Sequence, residues 1–269
     1  MKIPKLIVAY PGGNTTALIF GRRPAMDRKE LNEQIISAWQ KQYPDLPQIE
    51  QCCFVKKSAG PVIGTLEMLG GEFCGNATRS AVWILQKGKN SSGLIKASGS
   101  PQPLSFSINN GEVALKMPGS QVKTVKEGIL VQFAGITQLV VSDSQYLFGG
   151  EENLLRGLLS SNAYGLKKCA AVGVTSINEN ANEARFSIWV KAVDTVFNET
   201  ACGSGTCAIG ISKAIEIGAA VSLSITQPSG RTIAVTAEPQ GRGQPSIATI
   251  AGTIDIIYDG AFSTTANTL

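Results

Sequence analysis

Short apolar blocks and alternating apolar and polar positions dominate this chain, and helical spacing is confined to a few segments. Residues 5–10 and 16–20 read as strands around the turn Pro11-Gly12-Gly13-Asn14. Residues 27–42 place Leu31, Ile35, Ile36 and Trp39 on one helical face, with Asp27 as N-cap. Strands at 51–56 and 62–68 then lead to a second apolar helix, Ala81-Val82-Trp83-Ile84-Leu85. Further strands follow at 94–98, 104–108 and 112–117, and Pro118-Gly119 punctuates the chain.

The same order then repeats. Strands are predicted at 128–133 and 137–142, a helix near 152–159, and strands at 170–176 and 184–190. A helix around Ala208-Ile209-Gly210-Ile211 precedes strands at 222–227, 232–236 and 247–258, and 263–269 reads as a frayed tail. Many strands with one central helix per half imply two α+β units whose sheets wrap a helix. We place the halves at 1–118 and 119–254, with a closing strand at about 255–262 returning to the first.

Two stretches echo each other: Glu72-Phe73-Cys74-Gly75-Asn76-Ala77-Thr78 and Glu199-Thr200-Ala201-Cys202-Gly203-Ser204-Gly205-Thr206. Each sets a cysteine at a helix start, where free backbone N–H groups and the helix dipole are expected to lower a thiol pKa. One such cysteine suggests a nucleophile. Two, in halves that look like copies, suggest an acid and a base facing each other.

The chain has 269 residues and no histidine, which removes Cys-His and Ser-His pairs, an imidazole base and His-ligated metal. Proton work then falls to thiols or carboxylates. Cys52, Cys53, Cys169 and Cys207 read as small buried hydrophobes. Neither Cys52-Cys53 nor Cys202 with Cys207 has convincing zinc spacing. The net charge of +4 is modest, and Arg22, Arg23, Arg28 and Lys29 are interspersed with acids, so a nucleic-acid footprint is not expected. No apolar run reaches membrane-spanning length, and the segment after Met1-Lys2-Ile3-Pro4-Lys5 is too brief for a signal peptide, so a cytoplasmic protein with free thiols is expected.

These residues resemble the diaminopimelate-epimerase-like family of pyridoxal-independent amino-acid racemases and epimerases. The resemblance runs from Gly12-Gly13-Asn14 through both cysteine motifs to Tyr258-Asp259-Gly260. It implies two pseudo-symmetric halves, each a mixed or antiparallel sheet rolled around a central helix, with the active site in the cleft between. It also implies that one of Cys74 and Cys202 removes the α-proton as thiolate while the other returns a proton to the opposite face as thiol, without cofactor or metal. The amides of Gly75, Asn76, Gly203 and Ser204 would grip the substrate carboxylate. Asn14 and Gln51 match substrate-contacting positions, and Glu72 and Glu199 are candidates to bind the substrate ammonium or orient a side chain.

The departures narrow the substrate. Diaminopimelate epimerases hold the distal amino-acid group with a Glu-Arg pair where this chain has Val193-Asp194, and carry Gly-Asn-Pro-His at Gly135-Ile136-Thr137-Gln138. With Gln227-Pro228-Ser229-Gly230, the wording is closest to the histidine racemase branch, which supplies D-histidine to metallophore synthesis. Diaminopimelate or another mono-amino acid remain as alternative substrates, and a homodimer is compatible. A phenazine-type isomerase shares the architecture but lacks the cysteine pair. A nucleotide-dependent oxidoreductase would need Gly-x-Gly-x-x-Gly, but after Gly203-Ser204-Gly205 the next glycine is Gly210. A non-catalytic small-molecule binder would have no use for both thiols.

Overall fold

The computed structural model describes residues 2–21, 28–142, 149–239 and 246–264. The first half contributes β1 (Lys2–Pro11), β2 (Thr16–Phe20), α1 (Arg28–Gln42), β3 (Gln51–Lys57) and β4 (Val62–Met68). It continues with α2 (Gly75–Gln86), β5 (Ser91–Ala97), β6 (Leu104–Asn109) and β7 (Glu112–Lys116). The second half brings β8 (Ser120–Val125), β9 (Gly128–Phe133), β10 (Ile136–Ser142), α3 (Glu151–Ser160) and β11 (Ala171–Asn178). Then come β12 (Glu183–Val190), β13 (Thr195–Asn198), α4 (Gly203–Ile217), β14 (Val221–Thr226), β15 (Thr232–Glu238) and β16 (Ile247–Ser263). The proposed N-cap Asp27 and most of the tail fall outside the described residues, as do Arg22 and Arg23.

Hydrogen bonding runs β1 through β7 in order and on to β16, which also pairs with β1, so these strands close on themselves as a barrel. From β16 the sheet continues through β15, β14, β12, β11, β10 and β9 to β8, and a bridge from Ser120 to Ser246 returns β8 to the threshold of β16. Parallel neighbours need a crossover. Here α1 crosses from β2 to β3, α2 from β4 to β5, α3 from β10 to β11, and α4 lies between β12 and β14. The long strand β16 is shared: Thr249–Thr253 face β7, and from Ile254 onward it lies along β1.

Burial explains the two kinds of strand pattern. In β6 and β15, inward and outward residues alternate, because one face packs and the other meets water. In the centres of β1 and β11 successive residues are buried on both faces. On β1, Ala9 joins the interior cluster around α2 while Leu6 and Val8 join the cluster under α1. On β11, Ala171 faces the interior while Val172 and Val174 pack with Leu155 and Leu158 of α3. The interior cluster runs continuously from α2 to α4 through Met117 and Ile250. Both central helices therefore start in one shared core.

Candidate active site

Cys74 and Cys202 are the N-caps of α2 and α4, with nearly the same extended backbone, φ −131° and ψ 114° against φ −128° and ψ 111°. The Cys74 sulfur accepts from Ala77 N at 3.4 Å, and the Cys202 sulfur from Gly205 N at 3.3 Å. Four residues on, Thr78 and Thr206 donate their hydroxyls to the Cys74 and Cys202 carbonyls, each at 2.7 Å. Oxygen side chains are the usual N-caps. Sulfur, a weak acceptor, is therefore explained by chemistry rather than by helix propensity.

Each sulfur also meets a glutamine amide. Gln51 Nε2 lies 3.2 Å from Cys74 Sγ, and Gln138 Nε2 lies 3.7 Å from Cys202 Sγ and 2.9 Å from Ser204 Oγ. Thr175 donates to Gln138 Oε1 at 3.1 Å, which aims its N–H groups at the sulfur. On β11, Gly173 pairs with Gln138, and a Cβ there would stand 2.0 Å from Gln138 Oε1. Only glycine leaves room for this amide. Behind Cys202, Gln227 Oε1 accepts from Cys202 N at 3.0 Å, and Gln227 Nε2 donates to Thr206 Oγ1.

The two helix starts abut. Asn76 Nδ2 donates to Ala201 O at 3.1 Å, and a Cβ on Gly203 would lie 3.1 Å from Asn76 Oδ1 and 2.9 Å from Ile250 Cδ1. Both cysteines line one cavity of about 450 Å³, together with Gly75, Asn76, Gly203 and Ser204. The amides of these four residues sit in first turns, where no intrahelical acceptor exists. Ile36, Val190, Val193 and Phe197 form apolar walls, and Glu50, Glu72 and Glu199 add three carboxyl groups, with no lysine or arginine among the described lining residues.

This charge arrangement corrects the expected thiol acidity. Burial, then the Glu199 charge, pushes the Cys74 thiol up to about 12, against the opposing hydrogen bonds from Ala77 and Gln51. Cys202, 3% exposed, is pushed well above its ordinary value by burial and then by the neighbouring Glu199 carboxyl. Glu199 is itself raised to about 8 by burial and by the charges of Glu50 and Glu72, although the neighbouring Cys202 thiol opposes this. Backbone amides and a dipole do not outweigh removal from water beside carboxylates. Both sulfurs are thus biased toward the protonated form.

The remaining sequence candidates occupy the same cavity, but two are already engaged. Asn14 is buried, donating to Glu50 Oε2 at 2.9 Å and accepting from Thr16 and Gln51. Gln51 Nε2 is shared among Asn14, Thr16 and Cys74. Asp194 is exposed and accepts from Trp189 Nε1 at 3.0 Å, whereas Val193 reaches the cavity. Glu50 is absent from the sequence motifs, and Gln138 and Gln227 stand in them without an assigned role. Glu50 bridges the halves, accepting from Asn14 and from the Thr200 amide at 3.3 Å and hydroxyl. The available signal for Gln138 was a buried polar residue inside an apolar strand. Among the described residues, no group of three or more His, Cys, Asp or Glu is placed to hold a metal ion, and no helix is long and apolar enough to cross a membrane.

Residues 5–262 match the family model described as the histidine racemase CntK N-terminal domain. Histidine racemases from two strains of Fusobacterium nucleatum subsp. nucleatum are 28% and 26% identical over 234 residues. These alignments span 78% of this chain and 80% and 81% of the relatives. In fold the chain is similar to a probable proline racemase from Agrobacterium radiobacter, with TM-score 0.63 and 13% identity over 98% of this chain and 93% of the other. A phenazine biosynthesis protein of the PhzF family from Bacillus anthracis gives TM-score 0.63 and 12% identity, over 98% and 99% of the two chains. A cysteine-capped helix pair on this barrel-containing α/β fold, matched along nearly its whole length, places the chain in the histidine racemase family, and it is an isomerase of the amino-acid racemase and epimerase class.

Proposed function

We propose that this protein is a cofactor-independent histidine racemase in which Cys74 and Cys202 invert the α-carbon from opposite faces. The observation that carries the reading is the duplicated cysteine N-cap, with both sulfurs lining one cavity. In this reading the halves 1–118 and 119–254 are pseudo-symmetric copies, and the site lies where their helices meet.

The substrate carboxylate sits on the first-turn amides of Gly75, Asn76, Gly203 and Ser204, and its ammonium faces Glu199 and Glu72. Pairing that ammonium offsets the charge that holds the thiols up. The Cys74 S–H bond then breaks and its proton leaves to water in the open cleft, while the hydrogen bonds from Ala77 and Gln51 favour the thiolate left at Cys74, the less buried sulfur. The Cα–H bond breaks and its proton passes to the Cys74 sulfur. The Cys202 S–H bond breaks and its proton forms the new Cα–H on the opposite face. Roles swap in reverse, so the enzyme needs no other base.

Histidine is favoured over diaminopimelate by the family match and by the cavity's charge. Among the described lining residues three carboxyl groups stand without a cation, which disfavours a second substrate carboxylate. Val193 and the outward Asp194 offer no bidentate grip.

The test is a panel of L-amino acids and LL-diaminopimelate in deuterated water, with chiral analysis and kcat/KM, on wild type, Cys74→Ala and Cys202→Ala. L-histidine is expected to lead, and each variant to lose at least about 10²-fold. Near-wild-type turnover by either variant would refute the two-thiol mechanism, and preference for another substrate would remove histidine alone.

A further inference from the structure

Arg79 is 0% exposed on α2, one of the largest fully buried side chains in the protein. Helical side chains lean toward the N-terminus, and this one returns to the first turn, where Nη2 donates to Asn76 Oδ1 at 2.9 Å. Its Nε and Nη1 meet no acceptor among the described residues. On β16, Gly252 leaves the space: a Cβ there would stand 3.1 Å from Nη1. The Cys74 sulfur when ionised and Glu112 favour the charged guanidinium, while burial opposes it. A half-satisfied buried cation is costly, and an apolar side chain of similar volume is often as stable or more so. Packing alone does not account for it.

Its chemistry does. A side-chain amide can turn over, exchanging oxygen for nitrogen at almost no change in shape. Asn76 must keep its oxygen toward α2 and its nitrogen toward Ala201 O, because the reverse would set two oxygens against each other at the entrance to α4. A guanidinium can only donate, so it accepts one of the two orientations and rejects the other.

We propose that Arg79 is a positioning residue for the two-cysteine site: it locks the Asn76 amide so that Asn76 clamps Ala201, and hence the start of α4 with Cys202, against the start of α2 with Cys74. This rests on the two-thiol reading above. Loosening the clamp lets the two sulfurs drift relative to the substrate, which costs the transition state more than the ground state.

The experiment compares Arg79→Met, Arg79→Lys and Asn76→Asp for kcat, KM and melting temperature, beside Cys74→Ala and Cys202→Ala. Arg79→Met is expected to melt at or above wild type, to lose about 10-fold or more in kcat, and to keep KM within about 3-fold. Arg79→Lys, which retains a donor, should recover much of that loss. Asn76→Asp keeps an acceptor for Arg79 but has no N–H for Ala201, so it should slow as Arg79→Met does, and it carries the test even if Arg79→Met does not fold. Wild-type kcat in folded Arg79→Met or in Asn76→Asp overturns the proposal. If the cysteine variants are inactive while Arg79→Met turns over normally, only the Arg79 role fails; if the cysteine variants remain active, the two-thiol reading fails.

Discussion

Replacing Glu199 by glutamine should make the free enzyme more stable and less active, and the stability gain should depend on pH in a defined way. Glutamine has nearly the shape of a protonated carboxyl and cannot ionise. In the folded protein Glu199 titrates at about 8 against an ordinary 4.5. Between those values the unfolded chain has released this proton and the folded chain still holds it. Stability therefore falls as pH rises across that window, and the loss is complete above about pH 8. At 1.36 kcal/mol per unit the ceiling is ~5 kcal/mol. Glu199 is half-buried in an open cleft, and water entering there reduces the expected effect to roughly 2 kcal/mol.

The assay is urea unfolding of wild type and Glu199→Gln at intervals from pH 4 to 9. The difference should be near zero at pH 4, grow through the window and level off above pH 8. Other titrating groups, Glu50 included, contribute to both proteins and largely cancel. The same variant should bind substrate more weakly, because the ammonium loses a carboxylate partner. A pH-independent difference, or wild type gaining on the variant as pH rises, would refute the assignment of a raised carboxyl here.

Iodoacetamide should modify Cys74 before Cys202, since Cys74 is half-buried and Cys202 nearly closed, with a rate that climbs into the alkaline range; a plateau at neutral pH would mean a resting thiolate. Gly203→Ala should fold but lose about 10²-fold in kcat, because its Cβ would press on Asn76 and Ile250 and part the helix starts; unchanged kcat would show that the spacing is not critical. Leu155→Ala, in the cluster under α3 and away from the cavity, should cost ~2–5 kcal/mol in denaturant unfolding while the folded protein keeps its kcat/KM.

The periodicities carried most of the architecture. Val62–Met68 and Gly128–Phe133 have the bounds the pattern predicts, and both cysteines cap helices as the motif implies. What the pattern missed has physical causes. Ser120–Val125 is a polar-rich edge strand, held by pairing with β9 rather than by a buried face. Thr195–Asn198 is four residues long and pairs only with β12, too short for alternation to register. The closing strand expected at about 255–262 does return to the first half, where it is the end of one continuous strand, Ile247–Ser263, paired with β1. Local helix position points to acidic thiols, whereas closure of the core around the sulfurs, with Glu199 second, pushes both the other way. Gln138 and Arg79 became meaningful only once the fold brought their partners within reach.

The opposition between helix ends and carboxylates bears directly on how such a site avoids damage and still reacts. A standing thiolate beside a thiol would be open to oxidation whenever the cavity was empty. On the two-thiol reading, burial, and Glu199 once it ionises, favour protonated sulfurs until a cation enters. On that reading the α-amino acid brings the cation on the same atom framework whose proton must move, and binding and activation would become one event. A second carboxylate would cancel the ammonium's effect as well as lacking a partner, whereas a neutral or basic side chain leaves it intact. Substrate charge thus acts twice, once on affinity and once on thiolate formation, and discrimination against a doubly zwitterionic substrate should appear in kcat as well as in KM.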